Sequence, residues 1–146
     1  MIDSRTQAVL QGVLRRESLS LLQYVSEAFP WAGPEDREAL ARFRQVTDED
    51  REGIGELRRF LAAKKIMPSF IGSFPQSFTS LGFVSLQALL PRLLVSQRGD
   101  IAALERDLTA LSDAEARAVV QKILDRKRRH LTELEAIHTA HPATVR

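Results

Sequence analysis

The chain has 146 residues, of which 44% are hydrophobic, with 21 basic and 19 acidic side chains giving a formal charge of +2 and no cysteine at all. A chain of this length suits one domain, able to bury roughly two-thirds of its unfolded surface in a single core. The missing cysteines exclude disulfides, thiolate metal sites and cysteine nucleophiles, and so small a net charge does not by itself imply nucleic acid.

Residues 1–146 therefore read as a single domain. From Met1 to Arg16 acidic and basic residues are mixed, and no apolar run of signal-peptide length appears, so export by that route is not expected. The most apolar stretch, Leu81 to Val95, holds Gln87, Pro91 and Arg92 and falls short of the ~20 residues of a spanning helix. A cytoplasmic protein with no membrane span is the default expectation.

Alternation of β-branched and polar residues never extends over a useful length, so the expected class is all-α. The first helix is predicted from Ser4 to Phe29, ending at Pro30-Trp31-Ala32-Gly33. Pro34 suits the first turn of a second helix, with Glu35 and Asp36 favourable to its dipole, and this helix reaches Lys65. Thr47 and Asp50 resemble a capping pair, which marks a candidate break near Thr47-Asp48. Ile66 to Ser77 carries two prolines, a glycine and three serines and reads as an ordered connection. Its twelve residues could extend to roughly 40 Å, the length of a long helix. The third helix is predicted from Thr79 to Leu111 with a bend at Pro91. Ser112-Asp113-Ala114-Glu115 then forms a capping box for a fourth helix ending at His138, followed by a short polar tail over 139–146. Two short turns and one long connection give a four-helix bundle with a single long crossover between the second and third helices.

Each predicted helix carries an apolar seam at spacings of three and four, interrupted by polar residues near its middle. The seams are Leu10, Leu14, Glu17, Leu21, Tyr24, Ala28; then Phe43, Thr47, Asp50, Ile54, Leu57, Leu61; then Leu86, Leu90, Leu93, Gln97, Leu104, Leu108; and finally Ala116, Val120, Ile123, Lys127, His130, Leu134, Ile137. Glu17 precedes Trp31 by fourteen residues and Asp50 follows Pro34 by sixteen, while Gln97 and Lys127 stand at similar distances from the turn joining the last two helices. At ~1.5 Å per residue all lie roughly 21 to 24 Å from their turns. With the turns at opposite ends of the bundle, these heights coincide only at its middle, so the four groups are expected to face one another.

Glu17-Ser18-Leu19-Ser20-Leu21-Leu22-Gln23-Tyr24 resembles the first-helix motif of bacterioferritin and related ferritin-like proteins, in which the Glu ligates metal and a Tyr follows seven positions on. Asp50 falls where the second-helix Glu-x-x-His motif has its Glu, Gly53 falls at the His, and Pro68 matches the proline beyond that helix. Gln97 stands at the third-helix Glu if the connection is three residues shorter; an ungapped match selects Leu94. Lys127-Arg128-Arg129-His130-Leu131 resembles the fourth-helix Glu-x-x-His-x motif with Lys for Glu. The resemblance, over Leu10 to Ile137, implies a ferritin-like bundle; of the family's ligands only Glu17 and His130 keep their identity.

Two divalent ions need several anionic oxygens and neutral imidazoles, and Lys127 brings a positive charge into the space they would occupy. The expectation is a ferritin-like protein that has lost di-iron ferroxidase chemistry, with no cofactor, no catalytic residue and a structural or partner-binding role. Lys127 is expected to pair with Glu17 and Asp50, with Gln97 and His130 completing the network. The competing expectation is an altered metal protein, with iron or manganese on Glu17, Asp50 and His130. Tyr24 reads as a core residue. Lys122 and Arg126 to Arg129 are scattered around one helix and followed by Glu133 and Glu135, so they read as a solvated face, with nucleic acid not expected. The third helix is apolar over more of its circumference than one seam needs. Part of that surface is expected under Phe70, Ile71 and Phe74 of the crossover, and the remainder in a homodimer, a larger homo-oligomer or a contact with another protein.

Overall fold

The computed structural model describes residues 2–27, 30–68, 71–81 and 84–140. Ala28 and Phe29 at the end of the first predicted helix, Phe70 of the crossover and the tail from 141 onward lie outside the described residues. The protein is all-helical, with α1 (Ser4–Ser18), α2 (Leu21–Glu27), α3 (Arg37–Ala63), α4 (Leu86–Ala110) and α5 (Ala114–Ala140). Among the described residues no helix is long and apolar enough to cross a membrane.

The first predicted helix is divided. Leu19 leaves helical geometry at φ −106° and ψ 18°, and the Ser20 hydroxyl accepts the Gln23 N–H at 3.2 Å, the bond of a residue capping a new helix. Ser18 and Ser20 flank the break; serine competes with helical backbone bonding through its own hydroxyl, and periodicity alone does not register this. The candidate break at Thr47-Asp48 is absent. Thr47 donates instead to the carbonyl of Arg44 at 2.9 Å, inside an unbroken α3.

The third helix begins later than expected. Gln76–Leu81 is a 3-10 segment, and α4 starts only after Ser85, whose hydroxyl accepts the Ala88 N–H at 3.2 Å. Pro91 sits in the second turn of α4. The cap of α5 is Asp113, whose carboxylate accepts the Ala116 N–H at 2.8 Å, while Glu115 pairs with Lys64 at 2.6 Å instead of closing a capping box with Ser112. Thr139 and Ala140, expected in the tail, extend α5.

The described parts of the connection from α3 to α4 lie along the first two helices, from Gln11 to the turn beyond α2. Gln11 donates to the Met67 carbonyl at 2.9 Å, Gly72 lies beside Leu19, and the Tyr24 ring meets Phe74 and Phe78 at 5.3 and 5.7 Å. Leu86 N–H then donates to the Trp31 carbonyl at 3.0 Å. Gly72 has φ +95°, a left-handed conformation that glycine adopts without a Cβ clash. Because α4 starts beside the turn where α3 also starts, α3 and α4 run in the same direction. Cross-helix pairs Arg42–Glu133, His130–Glu49 and Lys122–Glu56 set α5 antiparallel to α3.

The interior has two apolar halves. One gathers Leu10, Leu14, Leu57, Leu61, Leu104 and Val120; the other gathers Leu22, Phe43, Leu90, Leu93, Leu134 and Ile137. Between them lies a level of buried polar groups comprising Glu17, Thr47, Asp50, Gln97, Lys127 and His130. Every described seam residue is buried apart from Tyr24, which is half-buried.

Candidate functional site

The polar level is assembled from all four stretches of helix. Glu17 comes from the last turn of α1, Asp50 from the middle of α3, Gln97 from α4, and Lys127 and His130 from successive turns of α5. The apolar halves on either side of this level hold these residues inward. Glu17 and Lys127 are each 1% exposed, and Asp50 is 4% exposed.

Lys127 Nζ lies 2.8 Å from Glu17 Oε2 and 3.0 Å from Asp50 Oδ1. The other oxygen of Asp50 accepts from Gln23 Nε2 at 2.6 Å. Among the described residues neither oxygen of Glu17 has a hydrogen-bonding partner besides the ammonium. Gln97 reaches the level differently, donating from Nε2 to the Lys127 carbonyl at 3.1 Å. It anchors the α5 backbone and leaves the ammonium to the carboxylates.

Burial and charge oppose each other here. Burial alone would lower the Lys127 pKa, but Glu17, Asp50 and Asp100 together outweigh it and hold the ammonium well above its ordinary value. Burial pushes Glu17 up from the usual carboxylate range, with the Lys127 ammonium acting against it. Asp100 is also raised by burial, opposed by Lys127 and Arg16.

His130 is 3% exposed but faces another partner. Its Nε2 lies 3.2 Å from Glu49 Oε2, at the edge of a surface pocket of about 270 Å³ that also contains Arg42, Arg129 and Glu133. Its Nδ1 is buried without a hydrogen-bond partner. Burial lowers its pKa, and the Glu49 contact only partly opposes this. Thus Glu17, Asp50 and Lys127 meet as expected, Gln97 touches the lysine backbone, and His130 pairs with a carboxylate that sequence reasoning left out.

Arg126, also missed, closes the side of the layer between α3 and α5. A Cβ at Gly53 would stand 1.6 Å from Arg126 Nη1, so the guanidinium occupies the space a side chain there would need. Glu56 holds both Arg126 and Lys122, at 3.5 and 3.0 Å. What remains inside is a cavity of about 10 Å³ lined by Glu17, Asp50, Gly53, Arg126 and Lys127 among others, about the room of a single water.

Among the described residues no group of three or more His, Asp or Glu side chains is arranged to hold a metal ion. The donor set in this arrangement does not fit the di-metal centre that the ferritin resemblance implies. An ammonium lies between the two carboxylates, a guanidinium fills the space beside Gly53, and the imidazole is engaged with Glu49. No family model, curated protein or solved structure matches this chain.

Proposed function

We propose that the chain is a ferritin-like four-helix bundle whose di-metal chemistry has been replaced by a charge-paired polar layer, and that it serves a structural or partner-binding role without catalysis. Its single end-to-end crossover is the connectivity of ferritin-like bundles. The observation that carries the reading is the Lys127 ammonium, 2.8 and 3.0 Å from two buried carboxylates. A positive charge there repels a divalent cation and satisfies the anions that would attract one.

Metal analysis of protein purified without chelator tests this. Far less than one equivalent of iron or manganese per chain is expected; a stoichiometric ion lost on His130→Ala would establish the altered metal centre on Glu17, Asp50 and His130 instead. The partner-binding role draws support from an apolar groove of about 420 Å³ lined by Leu21, Phe78, Leu81, Pro91, Arg92 and Val95, with Val95 71% exposed. We infer a homodimer, so light scattering at micromolar concentration is expected to give twice the chain mass, and a monomer mass would refute it.

A further inference from the structure

The two carboxylates that meet Lys127 differ in their surroundings, and the difference suits them to different chemical roles. Asp50 is held from one side, its Oδ2 accepting from Gln23 Nε2 at 2.6 Å while Oδ1 faces Lys127 Nζ at 3.0 Å. Glu17 Oε2 approaches the same nitrogen at 2.8 Å, the shorter of the two contacts, and among the described residues no other group donates to either of its oxygens, so it is the nearest acceptor for an ammonium proton. The three side chains are 1 to 4% exposed and share a cavity of about 10 Å³. That is about the room needed by one water.

We propose that Lys127 and Asp50 condense to a side-chain amide, with Glu17 as the proton carrier, joining α5 to α3 covalently through the polar layer. This rests on the metal-free reading above, whose ammonium–carboxylate layer is the state before condensation, and it replaces a metal bridge between helices by a covalent one. In the reaction Glu17 takes a proton from the ammonium, and the freed amine attacks Asp50 Cγ. The Gln23 N–H stabilises charge on Oδ2 as the carbon becomes tetrahedral. Two protons that began on the ammonium are delivered through Glu17 to Oδ1, the Cγ–Oδ1 bond breaks, and one water leaves. The third proton stays on the amide nitrogen, Glu17 is regenerated, and nothing is oxidised or reduced.

The ground state opposes the first step, because the carboxylates hold Lys127 as an ammonium. Two features favour the overall reaction. Buried ions bear a desolvation penalty that a neutral amide escapes, and packing the partners together supplies effective molarities that reach ~10⁵ M or more in well-oriented systems. The predicted bond therefore forms slowly after folding and persists, since water is scarce for the reverse step.

Denaturing intact-mass spectrometry of the purified protein tests this. The expected mass is that of the sequence less one water, and proteolysis should yield one branched peptide joining the Lys127 and Asp50 segments. Asp50→Asn should lose one ammonia instead of one water, since the amide nitrogen is then the leaving group. Glu17→Gln, nearly identical in shape, should retain its helical circular dichroism yet form the cross-link about 100-fold more slowly. An unshifted mass after days of incubation overturns the proposal, as does a branched peptide joining Lys127 to Glu17. An unshifted mass in metal-free protein would sink the amide alone, whereas stoichiometric metal would sink the reading beneath it.

Discussion

Lys127 and His130 sit one helical turn apart on α5, both buried and both beside carboxylates, yet the balance of forces on them has opposite outcomes. At Lys127 the combined fields of Glu17, Asp50 and Asp100 exceed the desolvation penalty, and the cation is retained. At His130 desolvation exceeds the pull of Glu49 and Asp50, and the neutral ring is favoured. The distinguishing feature is geometry. Two almost fully buried carboxylates converge on Lys127, whereas the close partner of His130 is a Glu49 side chain 42% exposed, whose charge water screens. Burial alone therefore does not decide whether a group in this layer is charged; the number and dryness of its partners do.

The largest effect expected from this contrast is at Lys127. Lys127→Met removes the cation and leaves Glu17 and Asp50 buried together, which should destabilise the protein by about 3 to 5 kcal/mol. The triple substitution Glu17→Leu, Asp50→Leu, Lys127→Met removes the ions as a set and should be close to neutral or stabilising. Urea unfolding of the two variants checks this, against wild type that intact mass shows to be free of the Lys127–Asp50 amide. A harmless single substitution would mean that the carboxylates do not depend on the ammonium.

The seams show how much of this layer was legible in the sequence. Spacing placed Glu17, Asp50, Gln97 and Lys127 on inward faces, and the count of residues from the turns brought them to one height; all four are buried at one level. Both inferences rest on the fixed rise and period of the helix; for Glu17 the count to Trp31 crosses the break at Leu19, yet Glu17 is still buried at the shared level. What the sequence did not reveal depends on side-chain reach. Gln23 turns inward to Asp50 because the helix restarts at Ser20, a break that the apolar period conceals. Glu49 is next to Asp50 in sequence, yet on a neighbouring face of α3, where it meets His130. Arg126 covers Gly53 from another helix, so nothing near Gly53 in sequence signals it. The best available clue was Gly53 itself, a missing side chain opposite a cluster of long basic ones.

The smaller effect concerns His130 and appears as a pH dependence. Its folded pKa lies below the ordinary value of 6.5. Between the two values the unfolded chain binds more protons than the native protein, so stability rises with pH through that window and is lost as pH falls below about 6.5. The groups facing the ring are Glu49 and Asp50 on α3 and Lys127 on its own helix, with Arg42, Arg129 and Glu133 around the adjoining pocket. Glu17 titrates with the opposite sign: its pKa is raised above 4.5, so its contribution is present below 4.5 and fades as pH rises through the folded value. Comparison with His130→Gln isolates the imidazole from that background. The wild type should lose stability relative to the variant as pH falls below about 6.5, and equal losses in the two proteins would refute the depressed pKa. Glu49→Gln separates the two forces directly. It removes a contact that favours the imidazolium, so NMR titration of the ring should place its pKa lower still; an upward movement would mean that Glu49 does not favour the charged ring.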